Sequence, residues 1–348
     1  MLADAKPIGI EQEEFCRRYA EHGREKLMLD LSIALGDTST TRALKNGEVS
    51  IEGVNPDFVE VKPIIAAFRR MVREQAYDVC EMAPTTYMIA RAHGAPFKAL
   101  PIVLMRRFHH QGLVKRPDAG IDTPKDLEGK AVGVRAYSVT TGVWTRGILQ
   151  NEYDVDPDKV TWIVDDEEHV SEMKLPENVK HVRQGTSLAE MMHKGELAAG
   201  FTGNAGIGRT GAPTADWSGG GIADDAFPEV IPDTSKAEVE WFARTGVYPI
   251  HGVLVVKDSV LADNPWLPGA LVDAFEASKK VQLEMLARGE THDAADRRYL
   301  KDMPVVGPDP LPFGMAANAA AIDTLIKYAH QQRLIDRLYS RDEMFVDI

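Results

Sequence analysis

The sequence predicts an α/β protein with a mostly parallel sheet covered by helices on both faces. Three observations carry this: apolar runs of strand length, helical runs between them, and Gly, Pro or capping residues at the joins. From Lys26, KLMLDLSIALG alternates apolar residues and breaks at Gly36, as a core strand does before the loop DTSTTRAL. VKPIIAAFRRMVREQAYDVCEMAPTTYMIARAHG reads as a helix, a short strand at YDVCEM, and a second helix starting near Pro84, Thr85 and Thr86. ALPIVLM is the next strand. Asp122 and Thr123 before Pro124 suit the N-cap and first turn of a short helix that Gly129 ends. KAVGV is then a strand, and a helix follows from about Val139. VTWIVD is a strand, TSLAEMMHKGEL a helix, and AAGFTGNAG a strand running into a glycine-rich loop. GVYPIHGVLVVKDSVL returns to apolar alternation, while NPWLPGALVDAFEASKKVQLEML and NAAAIDTLIKYAHQQRLI are helical by their spacing. Residues 11–26 read as a polar amphipathic helix, an extension laid on the surface or used to form a homo-oligomer.

Composition bounds the partners. The 348 residues are 44% hydrophobic and 27% charged, enough for two domains with sizeable cores. Forty Lys and Arg against 53 Asp and Glu give a net charge of -13, which argues against nucleic acid or an anionic membrane as partner. A small anion could still bind where several arginines converge. Cys16 and Cys80 are too few for a disulfide framework and lack a zinc spacing, which fits a reducing cytoplasm. The first thirty residues are charged throughout, without the apolar core of a signal peptide. No span approaches the roughly 20 apolar residues of a membrane helix. A cytoplasmic location is therefore expected.

Five stretches together narrow the reading: LSIALGDTSTTRAL, YDVCEMAPTTYMIARAHG, LPIVLMRRFHH, DTPKDLEGKAVGVRAYSVTTGVWTRGIL and YPIHGVLVVKDSVLADNPWL. Over about residues 27–345 the chain resembles the 4,5-dihydroxyphthalate decarboxylases, a family with the type II periplasmic-binding-protein fold. DLEGKAVGV is shared by many solute-binding proteins and speaks to the fold alone; VWTRGIL, RRFHH and YPIHG together are narrower. Where members of the family carry a Tyr-Asp-Arg-Thr type of sequence after the first Gly-Asp, this chain has Asp37-Thr38-Ser39-Thr40-Thr41-Arg42. The resemblance implies two lobes, 27–113 with 251–348 and 114–250, around a ligand cleft, and leaves residues 1–26 outside it as an N-terminal helical extension. It also implies decarboxylation of 4,5-dihydroxyphthalate to protocatechuate, or of a related hydroxylated aromatic acid. The alternative is a non-catalytic solute-binding protein for an aromatic carboxylate or similar small acid.

Each ring carboxylate of such a substrate is para to a hydroxyl, so losing a phenolic proton pushes electron density onto the carbon to be protonated. The site then needs a cation for the retained carboxylate, a base near a hydroxyl and a proton donor near the ring carbon. No metal or organic cofactor is expected: the adjacent His109 and His110 lack the spacing of a helical zinc motif, and GFTGNAG lacks the Walker lysine. His110 and His251, at strands entering or leaving a crossover, are the first candidates for proton transfer. Strand alternation puts Arg106, Phe108 and His110 on one face and Arg107 and His109 on the other, and the reaction is expected with His110. A histidine bonded to backbone at a strand end is the structural alternative. Arg135, between a strand and a helix N-terminus, is the expected carboxylate clamp. Arg106, Arg107 and Arg42 compete for a second anion contact. Asp37 and Glu81 follow strands and could orient a histidine or accept the phenolic proton, or simply cap a turn. Thr85, Thr86, Ser138, Thr140 and Thr141, near helix starts, offer hydroxyls to an oxyanion or cap those helices.

Overall fold

Two five-stranded sheets organise the computed structural model, which describes residues 28–209, 221–223 and 225–348. The expected helix at 11–26 and Cys16 lie outside the described residues. The chain begins with β1 (Leu29–Ala34), α1 (Ser39–Lys45), β2 (Val54–Phe58), α2 (Ile65–Glu74), β3 (Val79–Met82), α3 (Pro84–Ala92) and β4 (Phe97–Arg106). It then crosses to β5 (Leu113–Lys115), β6 (Ala131–Gly133), α4 (Thr140–Glu152), β7 (Thr161–Val164), β8 (Val179–His181), α5 (Leu188–His193) and β9 (Ala199–Phe201). After α6 (Thr234–Thr245), β10 (Ile250–Lys257) returns to the first sheet. Helices α7 (Asp258–Asp263), α8 (Leu267–Ala287), α9 (Ala294–Val306), α10 (Met315–Gln331) and α11 (Arg341–Met344) complete the chain.

The first sheet has the order β2-β1-β3-β10-β4 and the second β5-β9-β6-β7-β8. Both α/β halves contain parallel pairs, but β10 runs antiparallel to β3 and β4, a departure from the single mostly parallel sheet expected. The crossing explains it. The chain leaves the first sheet at Arg106 and re-enters at Ile250, and these two residues are partners in register. A strand that starts where its neighbour ends has to run the other way. The two crossing segments therefore lie side by side.

Local signals act as the sequence suggests. Pro84 occupies the first turn of α3, where its missing N–H removes no helical bond. Thr123 and Asp126 form a reciprocal capping box over the short 3₁₀ turn Pro124–Leu127. All four residues of β3 are buried, as a strand covered on both faces requires. Helix α4 packs on α10 through Gly147, where a Cβ would stand 2.0 Å from the Tyr328 ring. Trp144 and Ile148 on the same helix are wholly buried, each worth about 1.5–3 kcal/mol of apolar transfer. Among the described residues no helix is long and apolar enough to cross a membrane.

Candidate active site

A cavity of about 600 Å³ opens where strand ends and crossing segments meet. The end of β4 supplies Arg107 and His109, β10 supplies His251, and the turn from β6 to α4 supplies Arg135 and Thr141. The loop after β9 forms one wall with residues 202–205, α6 adds Glu238, and α9 adds Arg298, Lys301 and Asp302. Ligands of open α/β sheets lie beyond the carboxyl ends of strands, and this cavity has that position. A second cavity of about 170 Å³ adjoins it. The two share Ile65, Met105, Arg135, Val139 and His251.

β4 ends at Arg106, so strand alternation does not carry through RRFHH, and the cavity takes the two residues expected to face away together with Phe108. Arg107 and His109 line it; Arg106 and His110 do not. His109 and His251 face each other with ring centroids 5.1 Å apart, and His109 lies nearly parallel to the Trp144 indole. The Trp144 indole N–H in turn donates to the Ile250 carbonyl at 2.9 Å, fixing the base of the site. Arg107 donates to Thr141 Oγ1 at 2.6 Å and lies 3.4 Å from His251 Nε2. His110 is instead buried edge-on to Trp241 of α6, with centroids 5.2 Å apart. Burial alone pushes its pKa down to about 4. Arg106 turns into the packed interior, where it donates to the Tyr248 carbonyl and Asn318 Oδ1. Arg106 and His110 went to the core because Trp241 of α6, Tyr299 of α9 and Asn318 of α10 pack against them.

Other expected contacts also find partners within the protein. Asp37 is exposed and Arg42 half-buried on α1, and neither lines either cavity. The loop that was expected to enter the cleft winds directly into α1, whose Ser39 and Thr40 bond Asp296 and Gln282 at 2.6 Å. Glu81 lines the smaller cavity, accepts from the Gly36 N–H at 2.8 Å, and has its pKa raised by burial. Thr85 Oγ1 donates to the Ser138 carbonyl at 2.8 Å and lies 2.7 Å from Thr140 Oγ1. Thr86 lies 3.0 Å from His169 Nδ1 at the smaller cavity. The anion place expected before α4 is taken by the chain's own Glu168, whose carboxylate accepts from the Tyr137 and Ser138 N–H groups and the Ser138 hydroxyl. Arg135 reaches both cavities but is also ion-paired to buried Asp166 at 3.0 Å. Of the predicted set, Arg107, Thr141, His251 and Arg135 share the larger cavity.

Charge is arranged unevenly around this cavity. Burial lowers the pKa of His109, with Arg107 adding to the effect, and that of His251, with Arg107 and Arg298 adding. Both rings are therefore neutral at rest. Burial raises Glu238 to about 7, with Asp302 adding and Lys301 opposing. Asp302, raised by burial, accepts the Tyr248 hydroxyl at 2.8 Å. The site thus offers guanidinium groups beside two neutral imidazoles and an acid poised near neutrality. Among the described residues, no group of three or more His, Cys, Asp or Glu is placed to hold a metal ion.

Comparison with known proteins fits this geometry. Residues 53–310 match the family model for the periplasmic substrate-binding protein of a phosphonate ABC transporter. The periplasmic aliphatic sulphonate binding protein SsuA from Escherichia coli has a TM-score of 0.50 and 11% identity, over 91% of this chain and 97% of that one. This is a likeness of fold. A 4,5-dihydroxyphthalate decarboxylase of Comamonas testosteroni is 33% identical over 332 residues, covering 91% of this chain and 96% of the relative. The chain belongs to the 4,5-dihydroxyphthalate decarboxylase family. A Pseudomonas putida protein of the same name is 35% identical over 179 residues, covering 49% of this chain and 69% of the relative. The resemblance drawn from the motifs and the binding-protein-like fold are both borne out.

Within this decarboxylase-family site, sequence reasoning missed Glu238, Arg298, Lys301 and Asp302. The last three occupy i, i+3 and i+4 of α9, so they share a helix face. That spacing in RRYLKD was the available signal. Glu238 carried none, because it is one of two glutamates on the polar helix α6 and only burial distinguishes it.

Proposed function

We propose that this protein decarboxylates 4,5-dihydroxyphthalate to protocatechuate in the larger cavity, between lobes formed by residues 27–113 with 251–348 and by 114–250. The carrying observation is one cavity lined by Arg107, Arg298 and Lys301, the His109–His251 pair, and Glu238 with a pKa raised to about 7. The cations receive the carboxylate edge of the diacid. Glu238 takes the proton of the hydroxyl para to the departing carboxylate, since a base is most effective with a pKa near the working pH. A bound dianion offsets the guanidinium charge beside His251 and favours its imidazolium, so the imidazole takes up a proton from solvent and then gives it to the ring carbon. The bond to the departing carboxylate then breaks. Its electron pair restores the aromatic ring, carbon dioxide leaves, and the phenolate recovers a proton from Glu238. The net change is replacement of one carboxylate by one proton.

The likeness to solute-binding proteins supports a second reading, in which the cavity holds an aromatic carboxylate without chemistry. Incubating the purified protein with 4,5-dihydroxyphthalate decides between them. Stoichiometric carbon dioxide and protocatechuate are expected; saturable binding with no product overturns the enzymatic reading for this substrate.

A further inference from the structure

The smaller cavity differs in character from the larger one it joins. Ile64, Ile65, Phe68, Ala83, Met105 and Val139 give it apolar walls. Most of its polar groups are engaged within the protein: Glu81 accepts from the Gly36 N–H, His169 is bonded to Thr86, Thr140 lies 2.7 Å from Thr85 Oγ1, Ser138 donates to Glu168, and Arg135 is paired with Asp166 through a terminal nitrogen, leaving Arg135 Nε and His251 Nδ1 without a hydrogen-bond partner among the described residues. Burial pushes Glu81 up and His169 down to about 3, so both lean to their neutral forms. At about 170 Å³ the recess takes a small group but not the substituted ring together with its carboxylates. His251 stands at the junction, lining both cavities.

Resting on the decarboxylase reading above, we infer that this recess is the subsite of the departing carboxylate, which enters it past His251 while the ring and retained carboxylate stay in the larger cavity. An apolar recess opposes the carboxylate anion and accepts uncharged carbon dioxide, so it favours the transition state over the bound diacid. Proton delivery from His251 at the mouth places the new C–H bond on the carbon whose C–C bond breaks. The electron pair of that bond goes to the ring, and no oxidant or reductant is required. The recess also selects against substrates whose second substituent is larger than a carboxylate.

The test fills the recess and compares substrate with product. Ala83→Leu and Ile64→Phe both narrow it without altering a residue of the larger cavity. Each is expected to lower kcat/KM for 4,5-dihydroxyphthalate at least about tenfold, as overpacking of a fitted space does. Protocatechuate, which lacks the departing group, should bind within about threefold of wild type, a readout that general damage would not spare. In wild type, 4,5-dihydroxy-2-methylbenzoate carries a methyl group in that place and should bind about threefold or more tighter than protocatechuate, since burying a methyl favours binding. Equal loss of both ligands in a folded variant, unchanged kcat/KM, or weaker binding of the methyl compound to wild type overturns the inference while the activity stands. A wild type that does not turn over the diacid, whether or not it binds protocatechuate, overturns the proposed function itself.

Discussion

Glu238→Gln tests the proposed chemistry through two independent readouts. Glu238 is 5% exposed, and burial raises its pKa from an ordinary 4.5 to about 7. At about 1.4 kcal/mol for each tenfold change in the proton equilibrium, the rise is equivalent to about 3 kcal/mol against the ionised form. Between pH 4.5 and about 7 the folded protein keeps a proton that the unfolded chain has lost, so stability falls as pH rises across that window. Above about 7 the whole penalty is present. Glutamine removes it while keeping the shape of the side chain and its neighbour Gln111, 3.4 Å away. The variant should therefore gain about 2.5 kcal/mol more over wild type at pH 8 than at pH 5, read from urea unfolding. The same substitution removes the base. Turnover should fall about 100- to 10,000-fold, and the acidic limb of the kcat/KM profile near pH 7 should disappear. A variant with turnover within about threefold of wild type, or with the same stability gain at both pH values, would refute the reasoning.

Three further perturbations address separate parts of the structure. His251→Gln keeps an acceptor for Arg107 but cannot give a proton to carbon, so kcat should drop about 100-fold or more while diacid affinity changes less than about fivefold; a parallel loss of affinity would make His251 a binding group. His110→Phe should leave turnover within about threefold, because His110 packs on Trp241 outside both cavities; a hundredfold loss, measured by product release, would return it to the mechanism. Gly147→Ala forces a Cβ into the Tyr328 ring and should destabilise the protein by about 1–3 kcal/mol, and an unchanged urea midpoint would contradict the α4–α10 packing.

The fold was legible where local chemistry and burial agree. β3, β4 and β10 are apolar runs of strand length, α3 opens on proline, and the Thr123–Asp126 box announces its turn. β2 was not legible, because VNPDF carries a proline and exposed polar residues, which an edge strand paired only with β1 tolerates. The antiparallel entry of β10 had no local signal either. Its direction follows from where the chain left the first sheet, a property of the crossing rather than of IHGVLVVK.

The site divides along the same line. Alternation anticipated the separation of Arg106 and His110 from Arg107 and His109 but misplaced Phe108, because β4 ends at Arg106 and its backbone period stops there. Choosing the reacting face required knowing what covers the other one. Trp241, Tyr248, Tyr299 and Asn318 do so, and they lie 131 or more positions further along the chain than His110. The same non-local packing that buries His110 carries α6 and α9 to the cavity with Glu238, Arg298 and Asp302. A carboxyl with a pKa near 7 thus arises from assembly: an ordinary glutamate on a polar helix becomes a candidate base only when the far helix closes over it. Burial of His110 and the raised pKa of Glu238 are consequences of one docking event, so a variant that loosens α6 should lower the Glu238 pKa and expose His110 together.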